Sequence, residues 1–223
     1  MKTDRKIIES WKQNASPWIK AIEEKQIDSR RLTTDKAIVD TLLSLSLSNV
    51  LDIGCGEGWL VRELSAHGLS VTGIDAIKQL IDKAKEQQEG SYRVLEYENI
   101  SPQSITEKYS ALVCNFSLIG KESVEHIFNM APLILAKRGH LIIQTLNPVT
   151  SCGDQAYVDG WRDGSWEGFS NDFCNPAPWY FRTLETWKNL YQDNGFELKQ
   201  IKEPIHSTTK NAASLIMVGQ QCI

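Results

Sequence analysis

Asn49-Val50-Leu51-Asp52-Ile53-Gly54-Cys55-Gly56-Glu57-Gly58-Trp59-Leu60 is the stretch whose reading decides the fold. An apolar run meets an acid, and glycines follow at alternate positions. The run predicts a strand over 49–53, and Leu60, Val61 and Leu64 predict an amphipathic helix after the glycines. A chain that turns sharply, and lets a ligand approach its backbone, needs residues without Cβ. The helix that starts there aims free N–H groups and a positive dipole end at the turn. The stretch therefore reads as a nucleotide-type site.

Working outward, the helix after the turn closes at His67-Gly68, a natural C-cap. Residues 69–74 predict a second strand, ending at Asp75. A helix over 77–88, strands over 92–97 and 111–116, a helix over 123–136 kinked at Pro132, and a strand over 140–146 follow. Strands alternating with helices predict an α/β fold, doubly wound around a mostly parallel sheet. Right-handed crossovers bring the strand C-termini to one edge, and ligands bind there beside the first strand.

Before the turn, residues 7–27 predict a helix pair broken at Ser16-Pro17, with Trp11, Trp18, Ile19 and Ile22 as a packing face. Thr33 or Thr34 is placed to cap a helix running to about residue 45. After the fifth strand the periodicity stops. Residues 147–182 are rich in aromatics and punctuated by glycine and proline, and a loop of this length is usually functional. It leaves the ligand edge and so is positioned to cover the site. Thr183 caps a last helix, and strands over 196–202 and 213–219 form an antiparallel pair. One domain is expected over 1–223: a helical cap (1–47), a core (48–146), an aromatic insertion (147–182) and the last helix with its strand pair (183–223).

Composition narrows the class. The chain has 223 residues, 41% hydrophobic, enough for a substantial core. A net charge of −4 argues against a protein that mainly grips phosphate backbones. Five cysteines without a C-x-x-C pair fit neither a disulfide framework nor a zinc site, and no metal is expected. The polar start Met1-Lys2-Thr3-Asp4 precedes no apolar run, so neither a signal peptide nor a membrane span is expected and the default location is cytoplasmic.

Two cofactor readings compete at the turn. A dinucleotide fold wants G-x-G-x-x-G and an acid about 20 residues on for the ribose. Asp75 stands at that distance, but the glycines run G-x-G-x-G, and Glu57 within the turn would repel a pyrophosphate. Asp52-Ile53-Gly54-Cys55-Gly56-Glu57-Gly58 together with Asp75 resembles the class I S-adenosylmethionine-dependent methyltransferases. That cofactor carries a sulfonium and an ammonium and no phosphate, which suits acids around a glycine turn.

The resemblance implies a Rossmann-like, seven-stranded sheet with an antiparallel last strand. It also implies S-adenosyl-L-methionine as cofactor and S-adenosyl-L-homocysteine as product. Gly54, Cys55, Gly56 and Gly58 would line its amino-acid and ribose end, with Asp52 near the ammonium and Asp75 on the ribose hydroxyls. Ala76 would border the adenine, Glu96 and the Tyr97 backbone would read its edge, and Asn115 and Phe116 would lie under the methionine part. The chain looks most like the small-molecule branch that includes the ubiquinone and menaquinone biosynthesis methyltransferases. Those often hold the cofactor carboxylate with an N-terminal arginine, here Arg30 or Arg31. One departure is Ala136-Lys137-Arg138-Gly139-His140, where the family more often has Leu-x-Pro-Gly-Gly; it lies at the far edge.

Methyl transfer demands positioning and exclusion of water; a base is needed only when the acceptor must lose a proton. Candidates for such chemistry are His206, on the loop between the last strands, and Tyr157 and Asp154 in the insertion. Trp161, Trp166, Trp179 and Tyr180 are candidates to form the acceptor pocket, with the rest of the aromatics as core. Nucleic acid is the weaker substrate: Asn115-Phe116-Ser117-Leu118 lacks the prolines of amino-group nucleic-acid methyltransferases. The expected function is methyl transfer to a small planar or apolar molecule. A non-catalytic S-adenosylmethionine-binding sensor and a nicotinamide-dependent oxidoreductase are the competing classes. The oligomeric state is left open.

Overall fold

A computed structural model describes residues 2–87 and 90–222. One seven-stranded sheet organises them in the order β3-β2-β1-β4-β5-β9-β8. Its strands are β1 (Asn49–Ile53), β2 (Ser70–Asp75), β3 (Ser91–Val94), β4 (Tyr109–Asn115), β5 (Leu135–Thr145), β8 (Phe196–Lys202) and β9 (Leu215–Gln221). The first five are parallel, and β9 runs antiparallel to both neighbours. So β8 is parallel to β5, and the 203–211 loop emerges at the same edge as the glycine turn.

Strand alternation divides the core. Val50, Val113, Ile142 and Ile216 face α2 (Asp35–Leu43), α3 (Trp59–Ala66) and α4 (Lys78–Glu86) through Leu42, Leu60, Leu64 and Ile81. Leu51, Leu112, Ile143 and Met217 face α5 (Glu122–Ile134) and α7 (Leu184–Asp193) through Phe128, Trp187 and Tyr191. Both faces of the central strands are dry, as a parallel sheet requires. Thr183 caps α7 by accepting from the Thr186 N–H, as its position predicts.

The helical cap differs from its sequence reading. No break occurs at Ser16-Pro17: α1 (Asp4–Glu23) runs straight through Pro17. Proline removes one hydrogen bond there. Burial of Ala15, with Trp11, Trp18 and Ile19, against Ile77 and Leu80 at the start of α4 outweighs that loss. Neither threonine caps α2. Arg30–Thr34 form a π-helical turn continuous with it, and Thr34 has helical dihedrals and no capping bond. The Thr34 carbonyl instead accepts from Gln144 Nε2 on β5, so tertiary pairing sets this junction.

Further differences are local. The third strand stops at Val94, and Tyr97–Asn99 form a 3-10 turn. β5 begins at Leu135, earlier than expected, with a register shift against β4. Within 147–182 the chain forms α6 (Pro148–Cys152), capped by Asn147, and a hairpin of β6 (Gly160–Arg162) and β7 (Trp179–Phe181). No helix among the described residues is long and apolar enough to cross a membrane.

Candidate functional site

The glycine turn lies between β1 and α3, where strand order reverses from β2 to β4. Gly54, Gly56 and Gly58 all have positive φ, at 78°, 58° and 86°. The Gly54 and Cys55 N–H groups donate to the Ile74 carbonyl at 2.8 and 3.0 Å, tying the turn to β2. A Cβ on Gly54 would collide with the Tyr97 hydroxyl and Ser117 Cβ. Above Gly56 the space is open except for Trp18 Nε1, 3.6 Å from where a Cβ would lie. That is the approach a bound ligand would use.

Three acids surround this backbone. Asp75 Oδ2 accepts from the Gly56 N–H at 2.9 Å, and its Oδ1 from the Ile77 N–H at 2.8 Å. Burial pushes its carboxyl up to about 6, against the pull of those amide bonds. Asp52 is buried, and its Oδ1 has no partner among the described residues. Burial first, then the charges of Asp75 and Glu57, hold its carboxyl well above the usual carboxylate range. Glu57 Oε2 pairs with Arg62 at 2.8 Å, while Oε1 has no partner. Asn115 Oδ1, at the end of β4, is likewise buried and unpaired. Unpaired buried acceptors are costly. A donor-rich group would complete them.

Phe116, just past β4, sits at φ 53°, a strained value for a bulky side chain. It is held by its N–H donating to the Gln144 carbonyl at 2.7 Å. Ser117 Oγ donates to the Ile53 carbonyl and the Tyr97 hydroxyl to the Ser117 carbonyl, so the ends of β1 and β4 and the 3-10 turn are joined. Burial keeps the Tyr97 phenol protonated, well above its usual range. Glu96 is half-buried at the start of that turn. Ala76 packs against the same Ala15, Ile77 and Leu80 cluster as Trp11, Trp18 and Ile19 of α1, so the cap adjoins the expected adenine border.

Arg30 is less free than expected. Its Nε pairs with Asp35 at 2.9 Å, and its guanidinium lies 4.7 Å from the Trp59 ring and 5.9 Å from the Trp18 ring. One nitrogen, Nη1, is buried without a partner. Arg31 pairs with Asp28 at the surface.

The insertion splits into two parts, so the expected aromatic pocket is not one cluster. Trp166 stacks with Trp11, Phe169 and Phe173, apart from the hairpin. Trp161 and Tyr180 pair across the hairpin at 5.6 Å, and Trp179 packs with Phe181 over Arg162. The Tyr180 N–H donates to the Ile119 carbonyl, which docks this hairpin on the loop after β4.

The three candidates for acid–base work are not brought together with the turn by any hydrogen bond. The Tyr157 hydroxyl accepts from the Leu184 N–H at the start of α7. His206 Nδ1 accepts from the Thr208 and Thr209 N–H groups within its own loop. Asp154 is exposed after α6.

Several residues that organise the edge escaped the sequence reading. Asp4 accepts from the Lys121 and Ser123 N–H groups at the start of α5. Buried Asn14 makes a two-point bond to the backbone of Cys174, at 2.7 and 2.9 Å. Buried Arg182 donates to the Gly120 and Lys121 carbonyls. Together they fasten cap, insertion and post-β4 loop into one cover. Trp18, read as packing, is also the side chain nearest to where a Cβ on Gly56 would lie.

This switch-point site, with glycine backbone, buried acids and no phosphate-binding spacing, defines an α/β enzyme built for a cationic nucleoside cofactor. A family model described as a methyltransferase domain matches residues 20–201, and the chain belongs to that family. The ubiquinone biosynthesis O-methyltransferase of Rickettsia felis is 27% identical over 180 residues, covering 75% of this chain and 68% of that protein. The Dechloromonas aromatica enzyme of the same name is 29% identical over 119 residues, 49% of each chain. Among solved structures, magnesium protoporphyrin IX methyltransferase from Synechocystis PCC 6803 with bound SAH superposes with TM-score 0.68 at 15% identity, covering 98% of this chain and 100% of that one. A methyltransferase from Listeria monocytogenes gives TM-score 0.64 at 20% identity, with coverage of 79% and 92%. The protein is an S-adenosylmethionine-dependent methyltransferase.

Proposed function

We propose that the protein methylates an oxygen of a small, planar, largely apolar ring, of the kind met in quinone synthesis. The names of the relatives support the ring and the oxygen. The observation that carries the reading is the Trp161–Tyr180 aromatic pair on the hairpin docked at Ile119, a surface suited to a planar ring, while the unpaired Asp52 Oδ1 and Asn115 Oδ1 suit the cofactor.

The cofactor supplies a methyl group on a positively charged sulfur. The roles of the chain follow from its geometry. Asp75 holds Gly56 and Ile77 with one lone pair on each oxygen and keeps the others for ribose hydroxyls. Asp52 and Asn115 take the ammonium end, and Glu96 with the Tyr97 backbone reads the adenine edge. Trp18 Nε1 borders the open approach over Gly56 and would help to exclude water from a bound cofactor, which strengthens the charge interactions there. The Trp161–Tyr180 face of the hairpin, docked beside Phe116 to Ile119, positions the acceptor ring. Tyr157 and His206 hold loops in place through their bonded atoms, and an acceptor oxygen as acidic as a phenol reacts without them.

Incubation with isotopically labelled S-adenosylmethionine and a panel of alkylated catechols tests this. Label in an O-methyl ether, lost in the Trp161→Ala variant with cofactor affinity retained, is the expected result. Label only in a nitrogen or carbon acceptor would overturn the proposal.

A further inference from the structure

The loop after β4, residues 116–121, runs from the cofactor turn to the start of α5. At its first end Ser117 Oγ donates to the Ile53 carbonyl at 2.6 Å, beside Phe116 with its φ of 53°. At its other end Lys121 holds the N-cap position of α5 and makes no side-chain cap bond. The free N–H groups of a helix start need acceptors. Asp4, the first residue of α1, supplies them from 117 and 119 positions away. Its Oδ1 accepts from the Lys121 N–H at 2.9 Å and its Oδ2 from the Ser123 N–H at 2.7 Å. The carboxylate packs so closely on the loop that a Cβ on Gly120 would collide with it.

Arg182, just past β7, holds the carbonyls of the same stretch. Its Nη1 donates to the Gly120 carbonyl at 2.7 Å and its Nη2 to the Lys121 carbonyl at 3.0 Å. The side chain is buried, with its guanidinium 4.8 Å from the Tyr180 ring and 5.2 Å from the Trp187 ring. Burial pulls the guanidinium below its usual range, and the charges of Glu125, Asp159 and Asp4 reach it only from beyond ion-pair distance. A cation is costly to bury without a carboxylate against it, and such costs gather where function needs them. The Tyr180 N–H donates to the Ile119 carbonyl at 2.8 Å, so the clamped loop also carries the hairpin.

On the proposed acceptor reading, we infer that Asp4 and Arg182 are positioning residues for methyl transfer: gripping the loop from the cap and from the insertion, they fix the Trp161–Tyr180 face relative to the cofactor turn. Transfer is an in-line displacement, in which a misplacement of about 1 Å costs about a hundredfold in rate. The bonds of both residues go to the loop and the start of α5, and Asp75 holds Gly56 without them. Their loss therefore falls on the rate and spares cofactor affinity.

Wild type, Asp4→Asn and Arg182→Lys full chains are compared with labelled S-adenosylmethionine and the alkylated catechol that the wild type methylates best. Asn keeps one acceptor oxygen and Lys keeps the charge, while each breaks a two-point hold. In both variants kcat should fall by about tenfold to a hundredfold. The KM for S-adenosylmethionine and the Kd for S-adenosylhomocysteine should stay within about threefold of wild type. Amide exchange gives a second measurement that needs no acceptor. Saturating S-adenosylhomocysteine should slow exchange of the Tyr180 N–H about tenfold in the wild type and far less in either variant. Unchanged kcat in the folded variants, or cofactor affinity lost in step with the rate, would overturn the inference. Should the wild type methylate no catechol, the acceptor reading fails and exchange decides: equal slowing in wild type and variants would overturn the clamp as well. Should Asp4→Asn not fold, Arg182→Lys decides by the same measurements.

Discussion

Replacing Asp75 by alanine tests the centre of the site. Its carboxylate bonds the Gly56 and Ile77 N–H groups and is the proposed acceptor for both ribose hydroxyls. Hydrogen bonds to a charged group contribute about 1.5–3 kcal/mol each. Losing two should therefore weaken S-adenosylhomocysteine binding by roughly 3–6 kcal/mol, about a hundredfold to ten-thousandfold in Kd. The fold should survive. A carboxyl raised from 3.8 to about 6 makes its ionised form costly at neutral pH, by roughly 3 kcal/mol. That relief offsets the two lost backbone bonds, roughly 3 kcal/mol or more in all. Calorimetry of cofactor binding, alongside thermal melting, separates the two effects. An affinity within about threefold of wild type, in a variant that melts normally, would place the ribose acid elsewhere.

Asp75 also predicts a pH signature. Its folded-state value of about 6 exceeds the ordinary 3.8, so the stabilisation from its protonation is complete below about 4 and lost as pH rises through 6. Cofactor binding needs the ionised form, so the melting shift caused by S-adenosylhomocysteine should grow from pH 5 to 7; a constant shift would contradict the assignment. Gly54→Ala combines positive φ with a collision against Ser117 and should destabilise by roughly 2–5 kcal/mol in urea unfolding. A loss under about 1 kcal/mol would show that the turn yields. Asn14→Ala removes the two-point clamp on Cys174 and should cost about 2–3 kcal/mol, read as faster amide exchange around residue 174. Unchanged exchange there would mean that the cap and insertion are not fastened through Asn14. NADH binding in place of S-adenosylhomocysteine would reverse the choice made between the two cofactor readings at Gly54–Gly58.

The cofactor turn was legible because its requirements are local. Positive φ at Gly54, Gly56 and Gly58, and an acid closing β2, follow from residue types at short spacing. The antiparallel last pair was legible for a similar reason, since two apolar strands joined by a short polar loop have few arrangements. The cap was misread where a local rule met a distant partner. Pro17 and Thr34 carry break and cap signals, yet packing on α4 and a bond from Gln144 set both conformations. The aromatic insertion was misgrouped because composition carries no direction. Trp166 turns to α1, and Trp161 turns to Tyr180.

Taken by itself, the sequence determined that a parallel sheet carries a glycine turn flanked by acids, and that a cationic, phosphate-free cofactor suits it. Backbone conformation and charge repulsion act over a few residues, so no tertiary knowledge was needed. Only the tertiary structure decided what closes over that turn. Asn14 reaches Cys174 across 160 positions, and Asp4 reaches Ser123 across 119. It also decided that Arg30 pairs with Asp35 and Glu57 with Arg62, each leaving one buried atom without a partner among the described residues. An unpaired buried atom is a property of all the chain that could have met it and did not.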